Sequence, residues 1–379
     1  MSETMICPFC EESVEYGLSE CPYCSEIIVE DQNHNKKCPF CESLIKLNAV
    51  KCRYCKMFLN NPIEESEEPE SEPESGSDTA EVVEVFASIT EEKLLRGHFN
   101  AVNSLSYAPN GKFVVSGSED NTIRVWDTST GWETKQFRGH TSLVQSVVFS
   151  PNGKDIISGS RDFTIKLWNV DRLKEVMTLQ GHSKSVHSVA CSSNGKLVAS
   201  GSWDNFIKIW DIDTGEELVS INCYAWVYCV KFSPDGKQVA SGNMNKTVKI
   251  WDVQTGKNLK TLSGHQGVVY TIAYSPNGKN LISGGKDSAI KIWDVESGTE
   301  VNSINEPNIL NCIVYSPTGK YIVGGFQDGT IKIWDSATLT EQSTTYAHND
   351  SVNAVAFSPD GKYLTSGSKD SFIKLWKFT

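Results

Sequence analysis

Long hydrophobic runs are missing from this chain of 379 residues: no apolar stretch approaches the roughly 18 residues that a membrane-spanning helix needs. The first residues also lack the basic and apolar segments of a signal peptide. Charged residues make up only 22%, but 39% of the chain is hydrophobic, with 10 Trp, 12 Tyr and 15 Phe, which excludes a wholly disordered or collagen-like chain. We expect a soluble, cytoplasmic protein with at least two folded units and no membrane contact.

Basic residues are absent from residues 62–81, where nine acidic residues account for most of the formal net charge of −12. The stretch holds three prolines and no apolar residue between Ile63 and Ala80 that could anchor a core. Like charges and prolines favour an extended chain. The composition therefore predicts a flexible acidic linker over residues 61–91, between a small N-terminal domain and a large C-terminal one.

Cysteine is unevenly distributed, because eight of the twelve lie within the first 55 residues as four C-x-x-C pairs. A two-residue gap lets both thiolates of a turn reach one ion, and two such turns complete a closed tetrahedral Cys₄ site. The pattern predicts two structural zinc ions, since disulfides would require an oxidising compartment. Sequential and cross-braced pairings both satisfy tetrahedral geometry. The predicted zinc ligands are Cys7, Cys10, Cys21, Cys24, Cys38, Cys41, Cys52 and Cys55.

This part of the chain resembles the double zinc-ribbon family over residues 7–55. Three of the four pairs read Cys-Pro-aromatic-Cys, whereas the fourth has Arg53 in place of proline and keeps both cysteines. The resemblance implies a metal-stapled module at residues 1–60, of a kind found in contact with proteins or nucleic acids. Because a closed Cys₄ site leaves no open coordination position, we expect no catalysis at zinc.

The two ribbons differ in charge. Residues 7–31 carry seven acids and no base, whereas residues 36–56 carry six bases and a single acid, Glu42. Three interpretations are open: the basic ribbon docks on the acidic ribbon or linker, it contacts RNA, DNA or an acidic protein surface, or it is a solvated face. The second interpretation makes nucleic acid a candidate partner of this ribbon.

The region after the linker repeats itself. Seven tryptophans follow one another at intervals of 41 or 42 residues, and each ends an alternating apolar run typical of a strand. Fifteen residues before each tryptophan, a glycine lies in a turn of the Pro-Asn-Gly or Pro-Asp-Gly type, which is typical of a hairpin. Five repeats also have a histidine 28 residues before the tryptophan. The tryptophans are Trp126, Trp168, Trp210, Trp251, Trp293, Trp334 and Trp376.

These motifs resemble the WD-repeat β-propeller family over residues 93–379. The resemblance implies an all-β fold at residues 92–379, a seven-bladed ring of four-stranded sheets around a central channel. Too few residues follow Trp376 to form an outer strand. We therefore expect residues 93–96 to supply that strand to the last blade, which closes the ring and removes an exposed sheet edge.

The resemblance also implies a structural tetrad of His, Ser, Asp and Trp within each complete repeat. A histidine beside a carboxylate and a hydroxyl superficially suggests an acyl-transfer triad. However, the same set recurs in five repeats and includes an indole donor that acyl transfer does not need, so we expect it to hold the loop to the sheet by hydrogen bonds. We therefore predict no catalytic residue, no enzyme activity and no small-molecule substrate. The predicted tetrads are His98, Ser116, Asp120 and Trp126; His140, Ser158, Asp162 and Trp168; His182, Ser200, Asp204 and Trp210; His265, Ser283, Asp287 and Trp293; and His348, Ser366, Asp370 and Trp376.

Repeats four and six depart from this pattern. Repeat four has Cys223 and Asn245 at the His and Asp positions, and repeat six has Glu306 and Gly324 at the His and Ser positions. Without a complete tetrad, their entry loops should be less constrained. The four cysteines of the repeat region align with core positions and should be inert thiols.

Repeat four also places Tyr224 near two further aromatic residues, where other repeats have mostly polar or small side chains. Trp203 aligns with charged or polar residues and should therefore be exposed near the channel mouth. Two interpretations of Trp226 are open: it contacts a partner, or it fills a loop core that the missing histidine vacates. The predicted partner-binding residues are His187, Trp203, Trp226, Tyr228 and Tyr270.

The sequence thus predicts a non-enzymatic protein-interaction scaffold or adaptor. The propeller presents a loop-face binding surface, and the zinc ribbons form a second contact module. This prediction rests on a family used mostly for protein binding, because a fold by itself does not specify a ligand. The alternative is a nucleic-acid-associated factor whose basic second ribbon contacts RNA or DNA while the propeller recruits a protein.

Overall fold

The computed structural model describes residues 87–379 in full and, before them, the backbone of four short strands. The chain divides into two compact units, Met1–Ala80 and Glu81–Thr379. In the first unit two antiparallel hairpins bracket residues 7–12 and 38–43. The eight predicted zinc ligands and the predicted acidic linker up to residue 86 lie outside the described residues. The four strands are β1 (Thr4–Ile6), β2 (Ser13–Glu15), β3 (Asn35–Lys37) and β4 (Leu44–Lys46).

The second unit consists of seven four-stranded antiparallel sheets, which confirms the predicted all-β seven-bladed propeller. Blades one to six contain four consecutive strands each, and blade seven contains three consecutive strands together with the first strand of the unit. The strands are β5 (Ile89–Leu95); in blade one β6 (Val102–Tyr107), β7 (Phe113–Ser118), β8 (Thr122–Asp127) and β9 (Glu133–Arg138); in blade two β10 (Val144–Phe149), β11 (Asp155–Ser160), β12 (Ile165–Asn169) and β13 (Lys174–Leu179); in blade three β14 (Val186–Cys191), β15 (Leu197–Ser202), β16 (Phe206–Asp211) and β17 (Glu217–Asn222); in blade four β18 (Val227–Phe232), β19 (Gln238–Asn243), β20 (Thr247–Asp252) and β21 (Asn258–Ser263); in blade five β22 (Val269–Tyr274), β23 (Asn280–Gly285), β24 (Ala289–Asp294) and β25 (Glu300–Asn305); in blade six β26 (Leu310–Tyr315), β27 (Tyr321–Phe326), β28 (Thr330–Asp335) and β29 (Glu341–Tyr346); and in blade seven β30 (Val352–Phe357), β31 (Tyr363–Ser368) and β32 (Ile373–Phe378).

The Pro-Asn-Gly turns connect the first and second strands of a blade, as the turn between β6 and β7 illustrates. Gly111 has a φ of +70°, a backbone conformation that residues with a Cβ rarely adopt. Its N–H donates to the carbonyl of Ala108, and the Asn110 side chain accepts from the N–H of Lys112. Local turn chemistry therefore favours the hairpin at this position of each repeat.

The hydrophobic cores lie between neighbouring blades. In one of them, Val115 and Ile123 of blade one pack with Val147 and Trp168 of blade two. The second strand of each blade must also come close to the next blade, because a Cβ on Gly117 would lie 2.7 Å from the nearest methyl carbon of the following blade. Each repeat thus buries its apolar surface against its neighbour, as expected of a repeat architecture.

The ring closes through β5, which pairs with β32 as the outer strand of blade seven. This confirms the expectation that residues just before the first repeat complete the last blade. The strand is longer than residues 93–96, since it begins at Ile89, and Ser88 also exchanges two backbone hydrogen bonds with Thr379 at 2.9 and 3.0 Å. The propeller therefore starts before the boundary expected at residue 92.

Within the part of the chain that the structure describes, no helix is long and apolar enough to cross a membrane.

Candidate functional site

The predicted tetrads form hydrogen-bonded chains that run from loop to sheet. In blade one, His98 Nδ1 lies 2.8 Å from Asp120 Oδ2, and His98 Nε2 lies 2.6 Å from Ser116 Oγ. The indole Nε1 of Trp126 donates to the same hydroxyl at 2.8 Å. The carboxylate of Asp120 also accepts from the backbone N–H of Phe99 and so anchors the entry loop. The other four complete repeats have the same contacts, with Nε2–Oγ distances of 2.7, 2.8, 2.7 and 2.7 Å.

The electrostatics of the tetrads favour structure over catalysis. Burial alone would raise the pKa of Asp162, but hydrogen bonds from His140 and Thr164 outweigh it and hold that pKa well below its usual range. The carboxylate is therefore ionised and accepts from His140 Nδ1, while His140 Nε2 and Trp168 Nε1 both lie within hydrogen-bond distance of Ser158 Oγ. That hydroxyl is fully buried between imidazole and indole, so no substrate atom can reach it.

Blade four compensates for its incomplete tetrad. Cys223, at the histidine position, is fully buried, and its carbonyl accepts from Lys249 Nζ at 3.1 Å. Asn243 Nδ2 lies 3.2 Å from Ser241 Oγ, which also accepts from Trp251 Nε1 at 3.0 Å. The amide thus takes the place of the missing imidazole. Asn243 aligns with a serine in four other repeats, and its amide bonds to a residue two positions away on the same strand. The less constrained entry loop of blade four stays a prediction.

Blade six uses an ion pair instead. Glu306, at the histidine position, lies 2.8 Å from Lys332 Nζ, and Lys332 also pairs with Glu341 at 2.9 Å. These two carboxylates outweigh the effect of burial and raise the pKa of Lys332. Gly324 replaces the tetrad serine, and a Cβ there would lie 3.0 Å from the ring of Trp334. The entry loop of blade six is therefore held by charge rather than by a buried hydroxyl.

The five predicted partner-binding residues lie together in one group of rings, which we call the aromatic cluster. Trp226 stacks on Trp203 with ring centroids 5.1 Å apart and planes inclined by 17°. Trp203 stacks in turn on His187 at 5.2 Å. Tyr228 contacts His187 edge-on at 5.0 Å and Tyr270 at 5.3 Å. The rings thus form a continuous series across blades three, four and five.

The repeat itself explains this assembly. His187, Tyr228 and Tyr270 are the second residues of β14, β18 and β22, the innermost strands of three adjacent blades. Trp203 lies in the turn between the second and third strands of blade three, and Trp226 lies in the loop that enters blade four. Equivalent positions of neighbouring blades lie side by side around the channel. Both kinds of loop lie at the end of the ring that carries the tetrads, which we call the loop face.

The exposure of Trp203 differs from the prediction. Its ring is half-buried, because Trp226 covers one side and the Arg161 guanidinium lies 5.6 Å from the ring centroid. Trp226 is also half-buried, and Lys184 Nζ lies 5.8 Å from its centroid. The vacated histidine site is occupied by Cys223. Both interpretations of Trp226, as a partner contact and as a residue that fills the loop core left by the histidine, stay predictions.

Two polar atoms of the aromatic cluster have no hydrogen-bond partner among the described residues: Trp203 Nε1 and His187 Nδ1. Burial, and then the nearby charge of Arg161, lower the pKa of His187 to about 4. His187 is therefore a neutral imidazole near pH 7. The cluster consequently offers an indole donor and a neutral imidazole within an otherwise apolar group of rings.

The structure adds four exposed apolar side chains on the loop face that were not among the predicted contacts. Phe163, Tyr224 and Met244 lie on blades two and four with exposed fractions of 46%, 81% and 45%, and Phe99 lies on blade one with 84%. Phe163 and Tyr224 have φ angles of +74° and +56°, which are unfavourable for aromatic residues. Phe163 aligns with Asn121 and Asn205, which suit that backbone conformation better. This mismatch within the repeat is the sequence signal that identifies Phe163.

The central channel forms a cavity of about 510 Å³ below the aromatic cluster. Tyr228, Tyr270 and Lys231 line it. Cys312, a free thiol on the same wall, has a pKa raised to about 12 by burial, which fits the prediction of an inert cysteine. Among the described residues no group of histidine, cysteine and carboxylate side chains has the arrangement of a metal site.

The repeats match a known family model, described as "WD domain, G-beta repeat", seven times in register. The chain belongs to the WD-repeat family. Its propeller accounts for all seven repeats, and the tetrads lie within them. The matched segments are residues 90–127, 131–169, 173–211, 215–252, 256–294, 298–335 and 339–377.

Three curated proteins are similar to this WD-repeat chain over short segments. It is 53% identical over 36 residues to Periodic tryptophan protein 2 of Saccharomyces cerevisiae, which covers 10% of this chain and 4% of the yeast protein. It is 55% identical over 40 residues to Nuclear distribution protein PAC1 of Candida albicans, covering 11% and 8%. It is 44% identical over 41 residues to the Ribosome biogenesis protein BOP1 homolog of Drosophila melanogaster, covering 11% and 5%. The chain thus spans less than a tenth of each relative.

Proposed function

We propose that this protein is a non-enzymatic interaction scaffold whose propeller binds a protein partner on the loop face over blades two to five. The observation that carries the proposal is the number of apolar side chains on these blades, whereas the loop face of blade one has a single exposed aromatic residue, Phe99. Phe163, Tyr224 and Met244 are exposed beside the half-buried Trp203 and Trp226. Apolar residues exposed together on a soluble protein commonly mark a contact surface.

The composition of this surface supports a protein partner. Aromatic residues and arginine are enriched among the residues that dominate binding energy, and Trp203 with Arg161 above its ring is such a pair. Aromatic side chains bury a large area while losing little conformational entropy. The positive φ at Phe163 recurs at the aligned position of every blade, so the turn requires it. The presence of phenylalanine where blades one and three have asparagine supports a role in binding.

The tetrads support a role of the propeller in binding rather than in catalysis. Each of the polar constellations that resembles a catalytic triad is buried and hydrogen-bonded within its own blade. The four free thiols within residues 87–379 are buried or half-buried, and burial raises the pKa of Cys191 to about 11 and of Cys223 to about 12. We therefore assign the propeller to binding and not to catalysis.

The N-terminal region contributes a second contact module in this proposal. Four evenly spaced C-x-x-C pairs would hold two structural zinc ions, and hairpins β1–β2 and β3–β4 bracket the first and third pairs, as expected of zinc knuckles. The ions would stabilise the fold of residues 1–60 and leave no open coordination position. Sequential and cross-braced ligand pairings remain equivalent on this basis.

A second candidate function is nucleic-acid association through the basic second ribbon. Six Lys and Arg residues within residues 36–56 favour it, and one relative is named for ribosome biogenesis. Salt-dependent binding of the full chain to an RNA oligonucleotide, abolished by Lys51→Glu with Arg53→Glu, would support this candidate. The cellular location of the protein also distinguishes the two candidate functions. We place the scaffold in the cytoplasm, and a tagged chain found in the nucleolus would favour the nucleic-acid candidate.

The experiment for the scaffold is affinity purification of the intact protein, followed by measurement of the captured partner with surface variants. Tyr224→Ser installs the residue found at the same position of blade three, and Phe163→Asn installs the residue found at the same position of blade one. Both variants should therefore fold normally. Each should weaken partner capture by about tenfold or more, as loss of an interface anchor does. Trp132→Ala, which removes an exposed aromatic residue of blade one outside the loop face, is the control. Partners that bind the two loop-face variants as tightly as the parent would place the site elsewhere.

A further inference from the structure

The loops around the aromatic cluster carry exposed charges of one sign. Arg161, Lys184, Lys246 and Lys286 are exposed on the loop face of blades two to five. Within residues 87–379 none of these four cations forms an ion pair with a carboxylate. The acids of the same turns are the tetrad aspartates, whose side chains are buried and hydrogen-bonded to histidine, as at Asp204. The accessible charge on this side of the face is therefore positive.

The opposite side of the loop face is different. Asp328 in blade six is exposed, and Glu119 in blade one is half-exposed. Lys369, the cation of blade seven, lies 3.5 Å from Asp350 and is partly neutralised by it. The loop face thus has exposed cations without exposed acids over blades two to five, whereas over blades six, seven and one exposed acids offset the cations and Phe99 is the exposed apolar residue.

The aromatic cluster does not form a cage for a cationic ligand. Its neighbouring centroids lie 5.0–5.3 Å apart, so the rings contact one another and leave no slot for an ammonium group. Arg161 and Lys184 already lie over Trp203 and Trp226. A further cation would meet their repulsion.

We infer that the partner presents an acidic segment, rich in Asp and Glu and carrying a large apolar side chain, to the loop face over blades two to five. The inference rests on the proposed function and specifies the chemistry of its partner. The apolar side chain would pack on Phe163, Tyr224 and Met244, while carboxylates would pair with the surrounding cations. Such complementarity steers encounter and fixes orientation.

A protein segment fits this surface better than a nucleic acid. Residues 87–379 contain 29 Lys and Arg against 28 Asp and Glu, so the propeller lacks the excess positive charge typical of nucleic-acid binding. A long polyanion that crosses the loop face would also meet Asp328 and Glu119. Four cations around an apolar centre match a short acidic segment.

The test uses the full-length protein and a labelled synthetic peptide of alternating Glu and Asp around one central Leu, measured by fluorescence anisotropy. The comparison peptides replace all acids by Gln and Asn, or Leu by Ser. The acidic peptide with Leu should bind, and raising NaCl from about 50 to about 200 mM should weaken it severalfold. Equal binding of the Gln and Asn peptide would overturn the inference. A single-stranded RNA that binds the same residues more tightly than the acidic peptide would overturn it as well.

Charge-reversal variants locate the contact. The double variant Arg161→Glu with Lys184→Glu should bind the acidic peptide with an affinity lower by tenfold or more, which corresponds to about 1.4 kcal/mol of binding free energy. Lys174→Glu is the matched control, because this exposed lysine lies on the outer strand β13 of blade two, away from the loop face. Phe163→Asn should weaken the peptide with Leu and leave the weak binding of the Ser peptide unchanged. Equal loss with Lys174→Glu would mean non-specific charge attraction and would overturn the inference.

The partner captured by affinity purification separates this inference from the proposed function. Capture that depends on Phe163 and Tyr224 but not on Arg161 and Lys184 would overturn the acidic chemistry and keep the site. Capture that depends on neither pair would overturn the site itself.

Discussion

Asp204 and Trp203 are adjacent in the chain, yet they depend on different parts of the structure. The Asp204 carboxylate pairs with His182 at 2.8 Å and accepts from two backbone N–H groups, so its contacts lie within one repeat. The Trp203 ring instead contacts His187, Trp226 and Tyr228, two of which belong to the next blade. Substitutions at the two positions should therefore have different consequences for stability and binding.

Asp204→Ala should lower the free energy of unfolding by about 1–3 kcal/mol, because it leaves the buried Nδ1–H of His182 without an acceptor. Trp203→Ala should cost about 1 kcal/mol, since the ring stacks against its neighbours yet remains half-exposed. Denaturant unfolding of the two variants measures both values. Asn245→Ala is the control, because blade four has no histidine at this position, and it should be close to neutral. A loss for Asn245→Ala as large as that for Asp204→Ala would contradict the role assigned to the tetrad.

His187 should make stability depend on pH. The pKa of His187 is about 4 in the folded protein, below the value of about 6.5 in an unfolded chain. The unfolded state therefore binds the proton first as pH falls, so the contribution is complete above pH 6.5 and is lost towards pH 4. Between about pH 7 and about pH 5 the loss should be about 2 kcal/mol. Urea unfolding at both values measures it.

The control for this pH dependence is His187→Asn, which installs the residue found at the same position of blades one, six and seven. This variant should lack the histidine contribution, so its stability should fall less over the same pH interval. Identical pH slopes for the parent and His187→Asn would show that His187 titrates normally in the folded protein.

At the scale of secondary structure, β5 decides whether the ring is closed. The strand pairs with β32 along its whole length, with Ile89 opposite Phe378 at one end and Leu95 opposite Ile373 at the other. In addition, the Glu91 carboxylate forms an ion pair with Lys374 Nζ at 2.7 Å. Without it, blade seven would expose an unpaired sheet edge along β32. The other six blades take all four strands from consecutive sequence, so β5 is the element that joins the two ends of the unit.

A chain that starts at residue 82 should remain soluble and melt near the propeller transition of the full-length protein. A chain that starts at residue 98 lacks β5 and its ladder hydrogen bonds, and it should aggregate or melt at a clearly lower temperature. Thermal unfolding followed by circular dichroism, with size-exclusion chromatography, compares the two. Equal melting temperatures would refute the closing role of β5.

At the scale of the whole molecule, the two compact units are expected to differ in what stabilises them. The propeller has hydrophobic cores between all neighbouring blades, so it needs no metal. The N-terminal module of about 60 residues, which we call the head, is close to the size at which a hydrophobic core alone gives only marginal stability. In many domains of this size, a bound zinc ion supplies the missing stability.

Protein purified without chelator should therefore contain two zinc ions per chain, measured by inductively coupled plasma mass spectrometry. Chelation should unfold the head and leave the propeller transition unchanged, because the propeller cores lie within residues 87–379. Cys7→Ser combined with Cys38→Ser should reduce the zinc content. A ratio near zero in the parent, or one that the double variant does not change, would contradict the double zinc ribbon.

The sequence by itself determined the propeller, because its evidence recurs at constant offsets. Seven tryptophans and the glycine turns lie within single repeats and predict an array of strands and hairpins, and the resemblance to the WD-repeat family that they carry implies seven four-stranded blades. The membership of the aromatic cluster was also readable, since His187, Tyr228 and Tyr270 align with one another and the ring symmetry brings aligned positions together.

Only the tertiary structure decided how those side chains meet. The burial of Trp203 depends on the conformation of Trp226 in the next blade. The start of the propeller at Ile89 depends on pairing with a strand almost three hundred residues away. These contacts join different repeats, and sequence periodicity describes only what each repeat does alone. The charge of the loop face is likewise a tertiary property, because the tetrads bury the aspartates of these turns. As a result, Arg161 and Lys184 have no carboxylate partner within the described residues.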